Sequence, residues 1–338
     1  MEKSHIAVTC PLEREDRAAL GEILGNSVSI DYLKGLSKKE RGEALSRADV
    51  LFSFNMPGEL APDEYRLLGR VGMIQLLSAG ADHQPFGKIP PDVVIASNTG
   101  AYADPMAEHV LAMILALAKS LCRKHGELAR GEFDQSGLNR RLRGMQCGIL
   151  GFGGIGKAVA RLLRPFGVSI HALNTSGRTD EPLDFIGTLG DLERVLKTSD
   201  IVVFSLPLNE ETLRLIGRRE LGWMKPDAIL INVARGEIID EGALYEHLKS
   251  HPEFLAGIDV WWVEPLRYGE FRVHHPFFEL PNVLGSPHNS AIVPGAIHEA
   301  VKKAVANIRR FLDGRPVSGV VNREEYESER EKPGMVDF

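Results

Sequence analysis

Three ionisable side chains in the second half of the chain each stand just beyond a short apolar run: Arg235 after 229–233, Glu264 after 255–260 and His288 after 282–284. Arginine offers a planar fork of donors that matches a carboxylate bidentately. Histidine can give a proton to a carbonyl oxygen, and recover it, near neutral pH. A glutamate within reach of that imidazole would hold it in one tautomer and favour its protonated form. Together the three suit a small 2-keto acid, with Arg235 anchoring the carboxylate, His288 protonating the carbonyl oxygen as hydride arrives, and Glu264 steadying His288. Taken singly, each has a plainer reading as a surface ion pair, a solvated carboxylate or a loop histidine. What joins them is position, because the carboxyl ends of strands are where open α/β sheets bind ligands.

A second pattern indicates where the hydride would come from. Gly151, Gly153 and Gly156 spell G-x-G-x-x-G between the apolar run 147–150 and a helical pattern at 158–163. In that context the first glycine allows a tight turn, the second lets a pyrophosphate approach the backbone, and the third lets helix and strand pack closely. Gly154 and Ile155 lie in the same loop, where helix N-terminal N–H groups would face the phosphates. The run 168–173 ends at Asn174, followed by Thr175, Ser176, Gly177 and Arg178. A carboxylate at that place would accept the ribose hydroxyls and repel a 2'-phosphate. Asparagine does not repel it and Arg178 can pair with it, which favours NADP over NAD as cofactor.

The elements that must position these residues show as short runs rich in β-branched side chains, at 6–9, 50–54, 73–77 and 93–96 and again at 147–150, 168–173, 201–206, 229–233, 255–260 and 282–284. Alternation of such runs with helical patterns predicts parallel sheets wrapped by helices. A turn-rich stretch at 98–105 precedes an apolar helix expected over 106–120, with Asp104 as its cap and Pro105 at its first position. Apolar Ile297, Val301, Val305, Ile308 and Leu312 predict a helix over 296–312. The expected architecture is α/β, with a Rossmann-type doubly wound cofactor domain at 100–291. A smaller flavodoxin-like α/β substrate domain is expected from 1–99 and 292–330. Such a double crossing implies a hinge and a cleft between lobes. Charge-rich 323–338 reads as frayed, 331–338 as a tail.

Composition narrows the partners. Of 338 residues, 40 are Lys or Arg and 46 Asp or Glu, a net charge of −6, so no basic field invites nucleic acid or an anionic membrane. The N-terminus has no apolar stretch of the signal-peptide kind, and the greasiest segment, 110–118, is about half the ~20 residues a membrane helix needs. Cys10, Cys122 and Cys147 are odd in number and widely spaced, which suits a reducing cytoplasm. No metal site is expected, since His274-His275 has no cysteine or paired carboxylate nearby in sequence.

The chain resembles the D-isomer-specific 2-hydroxyacid dehydrogenase family through most of its length. The likeness rests on Leu77-Ser78-Ala79-Gly80-Ala81-Asp82, Ala107-Glu108-His109, the Gly151–Gly156 loop, and Asp200-Ile201-Val202-Val203 through Pro207 and Thr212. It continues in Ile231-Asn232-Val233-Ala234-Arg235-Gly236, Asp259-Val260 through Glu264-Pro265, and Pro287-His288. The resemblance implies Arg235 as carboxylate anchor, His288 as acid/base and Glu264 as its partner, with the amides around Ala79 and Gly80 also holding the carboxylate. It implies that Asp259 and the backbone near Val233 and Ala234 bind the nicotinamide carboxamide, and that Leu206, Pro207 and Thr212 border the adenosine half. It further implies a homodimer made through the cofactor domains, with 121–143 as an arm. Two departures stand out: Asn174 where the family has an acid, and bulky Trp261-Trp262 between Asp259 and Glu264, for which packing is the expected role. Asn55, Met56 and the Ala79 region are expected to set substrate size. Glu264, where a formate-type enzyme would carry glutamine, argues against formate oxidation; phosphite oxidation and a non-enzymatic corepressor remain as alternatives for assay.

Overall fold

In the computed structural model, which describes residues 3–326, the runs of the first hundred residues form one five-stranded sheet. Its strands are β1 (Ser4–Val8), β2 (Val28–Tyr32), β3 (Val50–Ser53), β4 (Met73–Leu76) and β5 (Val94–Ala96). All pairings are parallel, in the order β2-β1-β3-β4-β5, the flavodoxin-like arrangement. The central β3 and β4 are buried at every position, as expected where helices cover both faces. Strand β2 was not expected from sequence: it is an edge strand, half-buried throughout, and its VSIDY has no apolar run.

The helix Ala296–Leu312 closes this unit by packing on the helix Arg14–Leu24 and on β4. Its stripe Val301, Val305 and Ile308 is buried as the spacing predicts, His298 Nδ1 meets Asp16 Oδ1 at 2.9 Å, and Asn307 donates to Gln75 at 2.8 Å. The expected fraying from 323 is corrected: Arg323–Glu325 makes a turn, Arg323 donates to the Pro90 carbonyl at 2.9 Å, and Tyr326 stacks on Phe86 at 5.0 Å. The expected tail 331–338 lies outside the described residues.

The second sheet has seven strands: β6 (Gln146–Leu150), β7 (Ser169–Leu173), β8 (Phe185–Gly187), β9 (Ile201–Phe204), β10 (Ile229–Asn232), β11 (Leu255–Ile258) and β12 (Val283–Gly285). They are parallel throughout, in the order β12-β11-β10-β9-β6-β7-β8. This is the Rossmann order with one further strand, and its direction reverses between β6 and β9, where such sheets open a ligand crevice. Three-residue β8 at the edge was unforeseen because so short a segment leaves no periodicity.

The apolar helix runs Ala103–Ala118 rather than 106–120. Tyr102 is its cap residue, so Asp104 sits inside the first turn, where its charge suits the helix dipole. Pro105 is the third helical residue, still within the turn whose N–H groups lack intrahelical acceptors. Val110, Met113, Ile114 and Leu117 are buried, and the absence of a side chain at Gly257 lets Met113 reach β11. No single helix among the described residues is long and apolar enough to cross a membrane. By contact the described residues divide into two units, 3–101 with 294–326 and 102–293. The three cysteines are free; burial pushes the Cys10 and Cys147 thiols well above the usual range, and Cys122 is exposed.

Candidate active site

The glycine loop leaves β6 as the sequence pattern requires. Gly151 has φ +97°, and a side chain there would strike the Ser205 carbonyl group at 2.6 Å. Ser205 seals the approach by donating its hydroxyl to the Gly151 carbonyl at 2.7 Å. A side chain on Gly156 would collide with the Gly151 carbonyl oxygen, so the helix Gly154–Leu163 can sit this close to β6 only with glycine at that position. Gly153 has open space where a Cβ would stand, and as cap residue it brings no side-chain hydrogen bond to the first turn. The N–H groups at Gly154 and Ile155 and the positive end of the helix dipole are therefore offered to an anion. The cradle fits a dinucleotide pyrophosphate.

Past β7, the Asn174 side chain turns inward on its own loop. Its Oδ1 accepts from the Gly177 N–H at 2.7 Å and its Nδ2 donates to the Arg178 carbonyl at 2.8 Å. Asparagine thus shapes the Thr175–Ser176 turn. The Thr175, Ser176 and Arg178 side chains lie exposed on that turn, and no partner for the Arg178 guanidinium is found among the described residues. Thr212 is likewise internal, donating to the Pro207 carbonyl at 2.7 Å and accepting from the Asn209 N–H at 2.9 Å. It folds the turn that presents Leu206 and Pro207.

Glu264 and His288 come together. His288 Nδ1 lies 2.6 Å from Glu264 Oε2, and Glu264 Oε1 accepts from the Trp261 backbone N–H at 2.7 Å. With Nδ1 engaged, Nε2 has no partner among the described residues. His288 has φ +49°, a left-handed backbone that costs a non-glycine residue of order 1–3 kcal/mol and persists only where surroundings over-determine it. Arg235, beyond β10, donates from Nη1 to the Ala234 carbonyl at 2.7 Å. A side chain on the next residue, Gly236, would strike the backbone of Trp261 and Trp262 at 2.5 to 2.8 Å. That close approach lays the Arg235 loop against the loop carrying Glu264.

Asp259 is engaged within the His288 loop. Its side chain is 0% exposed, the carboxylate accepting from the Ser286 hydroxyl at 2.5 Å and from the Asn289 and Ser290 N–H groups at 3.2 and 3.3 Å. Its backbone carbonyl accepts from the His288 N–H at 2.7 Å. Asp259 is thus an internal anchor of the His288 loop. Burial opposes its ionisation, but hydrogen bonds from Ser286 and Ser290, with His109 and His288 nearby, hold its pKa below the ordinary value. Val233 and Ala234 are buried with their N–H groups committed to Phe204 and to the Asn232 side chain. Ser286 and His109, whose Nε2 lies 3.0 Å from the Ser286 hydroxyl, were missed as site residues, although His109 stands in a segment that carries the resemblance and Ser286 directly precedes another.

In the other unit, the segment after β4 leaves the N–H groups of Ala79 and Gly80 without partners among the described residues, while Ser78 donates to the Gly80 carbonyl at 2.8 Å. Met56 is fully buried, so it belongs to the core and does not set substrate size; Asn55 stays half-buried beside it. His274 has a carboxylate the sequence did not reveal, Glu241, at 2.7 Å.

Comparison with known proteins bears on this geometry. Residues 111–290 match the family model described as D-isomer specific 2-hydroxyacid dehydrogenase, NAD binding domain. A glyoxylate reductase from Thermococcus gammatolerans is 32% identical, over 72% of this chain and 73% of its own length. A hydroxypyruvate reductase from Thermotoga maritima is 30% identical over 86% and 92%. A D-3-phosphoglycerate dehydrogenase from Methanocaldococcus jannaschii is 29% identical over 94% of this chain, which spans 59% of that longer protein. Among solved structures, a D-isomer specific 2-hydroxyacid dehydrogenase family protein from Aeromonas salmonicida superposes with a TM-score of 0.78 at 25% identity, over 95% of this chain and 99% of that one.

Proposed function

The chain belongs to the D-isomer specific 2-hydroxyacid dehydrogenase family, and on that premise we propose that it reduces a small 2-keto acid of the glyoxylate or hydroxypyruvate kind to its D-2-hydroxy acid. The observation that carries the proposal is the 2.6 Å hydrogen bond from His288 Nδ1 to Glu264, which leaves Nε2 as the group to meet a substrate oxygen. A nicotinamide bound at the Gly151–Gly156 loop supplies hydride. The chain's residues do the rest: Arg235 holds the carboxylate and His288 delivers the Nε2 proton to the carbonyl oxygen. Glu264 keeps the imidazole oriented. In the oxidative direction Nε2 takes the hydroxyl proton.

NADP is the favoured cofactor over NAD: no carboxylate ends β7, and the exposed Arg178 guanidinium beside the Asn174 turn suits a 2'-phosphate. We assign the protein to a reducing compartment such as the cytoplasm, on its three free thiols. It is proposed to be a homodimer through the unit of residues 102–293, with 121–143 as the arm, because Leu121, Leu128, Phe133 and Leu138 are all exposed there.

Initial rates with glyoxylate, hydroxypyruvate and pyruvate, each with NADPH and NADH, test the reading. Turnover with NADPH preferred supports both parts; preference for NADH removes the Arg178 argument alone. Nucleotide binding without turnover of any keto acid, or of phosphite, favours the corepressor-like alternative.

A further inference from the structure

We infer that Trp261 is a positioning residue for the reaction proposed above, one that holds both halves of the His288–Glu264 pair through two separate N–H groups. Its backbone N–H donates to Glu264 Oε1 at 2.7 Å. Its indole N–H donates to the Ser286 carbonyl at 2.9 Å, two residues before His288. The ring itself lies under Gly285, where an added Cβ would meet it at 2.9 Å, and it is packed by Phe271 and Phe278 at 5.7 and 5.1 Å between centroids. Trp261, 4% exposed, therefore holds the Ser286 strand end with its indole edge and Glu264 of its own loop with its backbone.

The rest of the loop makes this contact consequential. Ser286 is gripped on its other side as well, its hydroxyl donating to Asp259 at 2.5 Å and lying 3.0 Å from His109 Nε2. The strained backbone of His288 follows directly. With Asp259 and Trp261 holding Ser286 from two directions, the left-handed conformation stays over-determined, and the imidazole meets Glu264 without searching for it. Loss of the indole N–H leaves a carbonyl without its donor and lets the loop drift relative to Glu264. The proton donor is then misplaced while the Gly151–Gly156 loop and Arg235 are untouched, and small misplacements of reacting groups are costly to rate.

Trp262 supplies an internal control. It too is buried, and its indole N–H also donates to a carbonyl, Ile239 at 2.7 Å, but no hydrogen bond runs from it to Glu264 or the 286–288 segment among the described residues.

The test compares Trp261→Phe with Trp262→Phe, each keeping an aromatic ring and the backbone N–H. Trp261→Phe is expected to lower kcat by about tenfold with keto-acid KM and NADPH affinity within twofold, while Trp262→Phe leaves kcat within twofold. Equal losses in the two variants, or an unchanged kcat in Trp261→Phe, overturn the inference. A second readout needs neither turnover nor a stable variant: 15N NMR of the imidazoles in the wild-type protein, at a pH where His288 is neutral. A single Nδ1–H tautomer for His288 is expected. A signal averaged between tautomers overturns the inference even if Trp261→Phe does not fold. Wild-type protein lacking all keto-acid reductase activity but showing the fixed tautomer would instead count against the proposed function alone.

Discussion

At the scale of single residues, the site turns on one imidazole with its two nitrogens assigned different tasks. Nδ1 is committed to Glu264 at 2.6 Å, so Nε2 alone is offered outward. Replacing His288 by alanine is expected to lower kcat about 10²- to 10⁴-fold, the usual contribution of general acid–base catalysis, with NADPH affinity by fluorescence titration nearly unchanged. Full activity in that variant contradicts the assignment. Arg235→Ala should instead raise KM for the keto acid far more than it alters cofactor affinity, because a bidentate carboxylate contact is what it removes. Asp259 has a separate, thermodynamic role. Its folded-state pKa lies below the ordinary 3.8, so the stability it contributes is present above that value and is lost as pH falls through the lower folded-state value. In Asp259→Asn the corresponding part of the acid-unfolding curve should flatten, together with a general loss of stability from the altered anchor.

At the scale of elements, glycines determine how closely two pieces of chain can lie. Gly236→Ala would force a methyl group into the Trp261 and Trp262 backbone at 2.5 Å. It should lower both thermal stability and kcat, because the Arg235 loop and the Glu264 loop must separate; unchanged kinetics would show that their contact is dispensable. The helix Glu241–Ser250 carries a different signature. His247 stacks on His251 at 4.2 Å between ring centroids, and burial, with some repulsion from His251, lowers its pKa from 6.5 to about 4. The unfolded chain binds a proton at higher pH than the folded one, so stability is complete above about pH 6.5 and declines towards pH 4. Urea midpoints across that window should fall in the wild type and fall less in His247→Phe; parallel curves would remove the histidine from the account.

At the scale of the whole molecule, the seven-stranded unit supplies Arg235, Glu264, His288 and the glycine loop, all from the carboxyl ends of its strands or just beyond them. A ligand bound only to the folded state stabilises it by about 2.7 kcal/mol at a hundredfold excess over Kd. NADPH should therefore slow hydrogen exchange at the Gly151–Gly156 loop and in β6 and β9. Protection absent from those segments would move the nucleotide elsewhere. The proposed dimer is tested by light scattering on Phe133→Asp, which should yield monomer if the 121–143 segment is the arm.

Much of this was legible in the residues themselves. Apolar runs located ten of the twelve strands because interior parallel strands are continuously hydrophobic. The G-x-G-x-x-G spacing announced a tight turn because only glycine tolerates φ +97° against the Ser205 backbone, and Glu264 and His288, each read as standing past a strand end, do meet. The edge strands β2 and β8 escaped because neither leaves a periodic signal, and strand order is a matter of pairing partners rather than local pattern. Met56 as core, Asn174 as a turn-former, Asp259 as buried anchor and Trp261 as a link between Glu264 and Ser286 were decided by tertiary structure alone. Each depends on which distant backbone groups reach a side chain once the chain has folded, and residue type and spacing specify what a group can do without specifying which neighbour it meets.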